Sequence, residues 1–200
     1  MRNSFVTLLV VSIGLATSSQ TYALSVSFVP SSQSITVGTV VNVDIQISDL
    51  VSGLAPSLST FDLDVGFDGS ILNFNSAKYG DPVKGDQLDL LGLGSLNATT
   101  PGVGSVNLFE LSLDSPSDLN SLQAGEFILA TISFVASSVG TSPLNLTINS
   151  LGDAAGGALV ATTNDGSITV SPVPEPSTLL LLGMGLVALL WKSKIRTIQI

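Results

Sequence analysis

Apolar and polar residues alternate with a period of two through most of the middle of the chain. Val41, Val43, Ile45 and Ile47 are separated by Asn42, Asp44 and Gln46, with Ser48 following. Phe61, Leu63, Val65 and Phe67 interleave with Asp62, Asp64 and Gly66 in the same way. Ile128, Ala130, Ile132 and Phe134 repeat the pattern, as do Leu144, Leu146 and Ile148. Successive side chains of a strand point to opposite faces, so each run predicts a strand with one face in a core. Between Val106 and Leu113 the phase slips. Val106 and Leu108 fit one face, whereas Phe109, Leu111 and Leu113 fit the other. One extra residue in the strand, a β-bulge near Leu108, would produce that slip.

Turn formers separate the runs: Pro30-Ser31-Ser32, Asp68-Gly69, Asp81-Pro82, Pro101-Gly102, Gly156-Gly157 and Asp165-Gly166. No amphipathic helix of ordinary length is visible. Short strands with frequent turns predict an all-β fold, a β-sandwich of two antiparallel sheets spanning residues 24–171. Leu88 to Thr100, rich in glycine and serine, reads as a loop over one sheet, and Val170 to Pro176 as a linker.

The two ends break the alternation with continuous apolar runs. Residues 1–23 combine Arg2, an apolar stretch from Phe5 to Ala16, and a polar stretch ending in Thr21-Tyr22-Ala23. That order is a secretory signal peptide with cleavage expected after Ala23. At the other end, residues 172–176 hold the tag Pro174-Glu175-Pro176, and residues 177–200 hold an apolar run from Leu179 to Trp191 followed by Lys192, Lys194 and Arg196. Two prolines one residue apart fix φ and remove two donors, so the tag is extended and cannot join a sheet. The run reads as a transmembrane helix, short against the roughly 20 residues of a bilayer span but extended by Trp191 at the interface and snorkelling lysines. Its cations stay on the cytoplasmic side.

Tag, span and basic end together resemble the PEP-CTERM sorting signal of Gram-negative bacteria that make exopolysaccharide. The resemblance implies that an exosortase recognises Pro174, Glu175 and Pro176. The protein would be anchored transiently in the inner membrane and then released to the cell surface. Ser193 and Ile195 interrupt the basic cluster, and Thr197 to Ile200 extend beyond it, unlike the solid arginine run of that family. An ordinary C-terminal anchor is the plainer alternative.

Between the two ends, 14 acidic residues face only Lys78 and Lys84, a net charge of −12. Such a surface argues against nucleic acid, which needs cations facing phosphate. It suits solubility, divalent cations or a neutral polysaccharide. The chain has no cysteine, so the exported part holds together by its core alone. It has no histidine either, which removes most zinc sites and every serine–histidine triad.

Several runs in order resemble the cohesin-like β-sandwiches, which share a jelly-roll architecture with certain carbohydrate-binding modules. Ser34 to Val43 looks like the opening strand pair. Phe61 to Asp68, followed by Ile71-Leu72-Asn73-Phe74, looks like a second segment, with Phe67 where the family usually has tyrosine. Gly125 to Phe134 and Asn164 to Val170 resemble two later strands. The resemblance implies a binding module. Its matching positions are core positions, which report fold more than function.

Two acidic groups are candidates for chemistry. Asp62 and Asp64 share the outward face of one strand, about 7 Å apart, with Asp68 just beyond. They fit half of a calcium site or a distorted glycosidase pair, and equally a solvated sheet face, which the buried Phe-Leu-Val-Phe face favours. Asp81, Asp86 and Asp89 form a looser group around Pro82 and Gly85 that leaves calcium open, although the spacing matches no EF-hand. No other cofactor is expected. Outside the end segments there is no tryptophan and Tyr79 is the only tyrosine, so a flat aromatic platform for sugar stacking is missing. The leading expectation is a non-enzymatic binding or adhesion module acting on polysaccharide or envelope proteins in the exopolysaccharide layer. A carboxylate-based glycoside hydrolase acting on extracellular polysaccharide is the rival.

Overall fold

The computed structural model describes residues 23–174 and 181–187. Eleven strands and one short helix follow in order: β1 (Leu24–Val29), β2 (Ser32–Thr36), β3 (Val40–Ser48), β4 (Leu58–Gly66), β5 (Leu72–Tyr79), β6 (Ser95–Gly102), β7 (Ser105–Ser112), α1 (Pro116–Leu122), β8 (Phe127–Ala136), β9 (Gly140–Asp153), β10 (Ala161–Asn164) and β11 (Gly166–Ser171). They form a five-stranded sheet, β10-β1-β3-β8-β5, and a six-stranded sheet, β2-β11-β9-β4-β7-β6. The two-sheet all-β sandwich is therefore as the alternation predicts. Every buried residue of the main apolar cluster lies between Leu24 and Val170. Among the described residues, the core thus falls within the stretch 24–171.

The antiparallel expectation needs one correction. β1 pairs with β10 in parallel, and β2 pairs with β11 in parallel. The cause is a shared break. The chain leaves one sheet for the other at Pro30-Ser31 and again at Asp165, so two long split strands run side by side and clasp the sandwich shut. At the crossing, a Cβ on Gly166 would lie 2.8 Å from the Ser31 carbonyl oxygen, so only glycine fits. Asp165 accepts a hydrogen bond from the Leu146 N–H at 2.9 Å, holding the second break in place.

The period-two runs meet in the core. Val43, Ile45, Ile47, Phe61, Leu63 and Val65 are all essentially inaccessible to solvent. Two bulges adjust the others. Leu129 is the extra residue of β8, so Phe127 faces Ile47 and Ile128 turns outward opposite Gln46, not inward as the simple alternation has it. Asn149 is the extra residue of β9, which moves the core face from Leu144 and Leu146 to Leu151. The bulge expected near Leu108 does not exist. β7 pairs with β4 and β6 in unbroken register, and its inward face is Val106, Leu108 and Glu110. The stretch Leu88 to Thr100 is only half loop, because β6 begins at Ser95 and forms the sheet edge. Strand β11 also runs on to Ser171, into the stretch read as linker.

The sandwich has two poles. β3 runs about 30 Å, at roughly 3.3 Å per residue, from Val40 to Ser48. Ser171 lies at the Val40 end, where it accepts a hydrogen bond from the Val37 N–H. Leu24 and the segments 49–57, 80–94, 113–126 and 154–160 lie at the other end. The chain therefore leaves for its C-terminal tail at one pole, and its long connections gather at the opposite one.

Candidate functional site

The far pole is held by side-chain hydrogen bonds in place of sheet pairing. Helix α1 starts at Ser115, whose hydroxyl caps the Asp118 N–H, with Pro116 in the first turn. It ends at Gln123, a buried side chain that accepts from the Leu58 N–H at 2.7 Å and donates to the carbonyls of Leu58 and Gln87. Gln87, also buried, accepts from the Ala124 N–H and donates to the Lys84 carbonyl. The two amides stitch the 80–94 loop to the start of β4 and to the segment after α1. Neither stood out in the sequence, because an isolated glutamine carries no periodicity.

Asp81 begins this loop. Its Oδ1 accepts from the Val83 and Lys84 N–H groups, each at 2.8 Å, and its Oδ2 accepts from the Ile128 N–H at 3.0 Å. Burial pushes its carboxyl upward, but those backbone donors and the Lys84 charge outweigh it and hold the pKa below the ordinary value. Both oxygens are engaged by the fold, so Asp81 acts as a loop brace. Asp86 accepts from Leu88 N–H at 2.9 Å, and Asp89 from Gly94 N–H at 2.8 Å. Gly80, at φ +85°, lets Asp86 come close, since a Cβ there would sit 3.0 Å from the Asp86 Cα.

Beneath this loop lies a residue the alternation concealed. Glu110 continues the inward face of β7 opposite Phe61 and is completely buried. Ser95 Oγ donates to its Oε1 at 2.5 Å, while Oε2 has no partner. Burial, first, pushes its pKa up to about 8; the Ser95 hydroxyl opposes this, and the negative charges of Asp86 and Asp89 add to it. Asp114, also buried, accepts from the Leu90 N–H at 2.6 Å through Oδ2, and its Oδ1 is likewise unpartnered. The signal was present as Val106, Leu108, Glu110 at a spacing of two. Following the more apolar Phe109, Leu111 and Leu113 hid it.

Asp62 and Asp64 stand apart, on the outer face of the six-stranded sheet. Asn107 of β7 donates to Asp62 at 2.6 Å and to Asp64 at 2.9 Å, and Asn149, delivered by its bulge, donates to both at 3.0 and 2.9 Å. The pair lies side by side on one strand, bracketed by amides, whereas glycosidase carboxylates face each other across the scissile bond. Asp68 lies in the following turn, where the hydroxyl and N–H of Ser70 hold its pKa below the ordinary value. Thus Asp81, Asp86 and Asp89 share the 80–94 loop, each accepting from backbone N–H groups, and Asp62 and Asp64 belong to another surface. Among the described residues, no three histidine, cysteine, aspartate or glutamate side chains are already arranged to hold a metal ion.

Of the sorting residues, Pro174 lies at the end of the described domain in irregular structure. Glu175, Pro176, Lys192, Lys194 and Arg196 lie outside the described residues, as does the expected signal peptide up to Tyr22. Residues 181–187 are helical, and among the described residues no helix is long and apolar enough to cross a membrane.

Residues 172–195 match the PEP-CTERM protein-sorting motif. No curated protein matches the chain in sequence. In structure the sandwich is similar to a non-cellulosomal cohesin from the hyperthermophilic archaeon Archaeoglobus fulgidus, with 15% identity and a TM-score of 0.56 over 75% of this chain and 92% of that one. It is also similar to the seventh ScaB type I cohesin from Pseudobacteroides cellulosolvens, with 17% identity and a TM-score of 0.59 over 78% and 97%. A third similar chain comes from a type I cohesin–dockerin complex of Clostridium thermocellum, with 12% identity and a TM-score of 0.59 over 76% and 96%. The sorting motif and the cohesin-like fold thus stand where the sequence resemblances put them.

Proposed function

We propose that this is an exported protein, processed by an exosortase at its C-terminal tail, whose sandwich acts at the cell surface as a non-enzymatic binding module. The observation that carries the reading is the placement of the sorting motif. It begins one residue after β11, at the pole opposite the 49–57, 80–94 and 154–160 connections. A tail engaged at the membrane points those connections outward, where a partner can reach them. Val51, Leu54, Val83, Leu91, Leu93 and Val160 project into solvent there. Exposed aliphatic groups favour a protein partner over sugar, and polysaccharide of the surface layer is the second ligand class. The Clostridium thermocellum neighbour, seen with a dockerin, supports a protein partner by analogy of fold alone.

Immobilised residues 24–171 are expected to retain an envelope protein or polysaccharide from the producing cells. The variant carrying Leu91→Asp and Leu93→Asp should lose that retention. If neither class is retained by the wild-type segment, the binding reading fails. For the tail, Glu175→Ala should leave full-length protein in the membrane fraction. Mass spectrometry of the mature C-terminus reads this, and unchanged processing of the variant would remove the tag from the account.

A further inference from the structure

Building on the reading of the tail as membrane-engaged, we infer that the pole from which the tail leaves is itself a lipid-facing surface, at which Val40, Val103, Val139 and Val173 meet the bilayer. Three connections of this pole each present a valine to solvent. Val40 opens β3, Val139 precedes β9, and Val103 stands at the tip of the β6–β7 hairpin between Gly102 and Gly104. Val40 and Val139 are more than half exposed, and Val103 is fully so. Turn tips ordinarily carry Gly, Asn, Asp or Ser, which suit water and the backbone of a turn. A fully exposed valine gains nothing from the fold, and valines repeated on three connections of one pole mark a surface for contact.

These connections gather around the exit of the chain. Val170 pairs with Gly140, which puts Val139 beside Ser171, and the Val37 N–H bond to the Ser171 carbonyl holds the turn before Val40 there as well. Phe67 N–H donates to the Gly104 carbonyl and Asp68 N–H to the Ser142 hydroxyl, tying the Val103 hairpin to the same end of β9. Between that hairpin and the start of β5 opens a cavity of about 330 Å³, walled by Phe67, Leu72, Phe74, Pro101 and Val103, which continues the apolar surface. Val173, also exposed, carries it into the tail. Only residues 172–178 separate Ser171 from the apolar run that begins at Leu179. Fully extended they span about 25 Å, so the pole stays within that reach of the bilayer. Charge then selects lipid as the occupant. The turns 37–39, 67–71, 103–104 and 137–139 hold one charged side chain, Asp68, whereas the far-pole segments 49–57, 80–94 and 113–126 hold seven acidic residues and one lysine. An anionic leaflet repels the far pole and lets the nearly uncharged one settle on it.

The chain has no cysteine, so a single introduced cysteine carries a label to one place. Full-length chain bearing Val103→Cys, Val139→Cys or, at the far pole, Val83→Cys is labelled with a polarity-sensitive dye and reconstituted into vesicles of phosphatidylethanolamine and phosphatidylglycerol. Emission from positions 103 and 139 should shift to the blue and be quenched by nitroxide-bearing lipid, while emission from position 83 should do neither. In a Val40→Cys chain, adding Val103→Asp and Val139→Asp should remove the quenching at position 40 while the chain still floats with the vesicles. Flotation reads the tail and quenching reads the pole. If the chain floats but positions 103 and 139 are quenched no more than position 83, the lipid-facing pole is overturned and the tail reading stands. A blue shift that nitroxide lipid does not quench assigns the pole to a second copy of this chain and overturns it too. A chain that does not float with the vesicles overturns both.

Discussion

The outer face of the six-stranded sheet and the far pole each gather acidic side chains, yet they treat them in opposite ways. On the sheet face, Asp62 and Asp64 are half-exposed and every interaction they make is with an amide donor from Asn107 or Asn149. At the far pole, Glu110 and Asp114 are buried and each leaves one oxygen with nothing to accept. The difference shows that density of carboxylates along a sequence is a poor guide to chemistry. Water and neighbouring amides make an exposed pair inexpensive to keep. A buried carboxylate is far costlier to keep charged, and burial accordingly pushes the Glu110 pKa up to about 8, toward the neutral form.

The largest effect should come from breaking the support of the far pole. Gln123→Ala removes three hydrogen bonds at once and leaves the buried Leu58 N–H and the Leu58 and Gln87 carbonyls without their partner. Unfolding free energy in urea should fall by about 3 kcal/mol, the cost of stranding more than one buried polar group. A loss of only a few tenths would mean that water replaces the amide readily, and that the far pole is as well hydrated as the sheet face.

The fold was legible because its cause is repetitive. Val41 to Ile47 and Phe61 to Val65 alternate without error, and a two-faced strand is the only element that suits such a run. What the alternation could not carry was anything decided by a single residue. Leu129 and Asn149 are ordinary strand residues, and only the partner strand's register makes them bulges. The parallel clasp depends on where Pro30 and Asp165 meet in space, far apart in sequence. The candidate site was half legible. Asp86 and Asp89 were visible as loop acids, while Glu110 was masked by a rule that assigns charge to the outside. Gln87 and Gln123 could be found only from the distances between them and the backbone.

Asp81 gives a middle-sized test with a definite pH dependence. Its pKa is lowered in the folded chain, so its contribution is present above the unfolded value near 3.8 and disappears as pH falls through the folded value. Asp81→Asn keeps one acceptor oxygen but sets an amide against N–H groups that need acceptors, costing about 1–2 kcal/mol at neutral pH. The gap between wild type and variant should narrow below pH 3.8, measured by urea unfolding at stepped pH. A gap that is constant down to acid would mean that shape, and not charge, is what Asp81 supplies.

The smallest effect is expected on the sheet face, and that smallness carries the comparison. In Asp64→Asn the strand loses one of two adjacent negative charges, which relieves repulsion with Asp62. It also loses one of the acceptors that Asn107 and Asn149 share, but both amides still reach Asp62 and both groups can turn to water. The two changes oppose each other, so stability should move by no more than about 0.5 kcal/mol, as for most surface substitutions. A loss several times larger would show that the amide-bracketed pair is itself a structural site, and the contrast drawn between exposed and buried carboxylates in this chain would no longer hold.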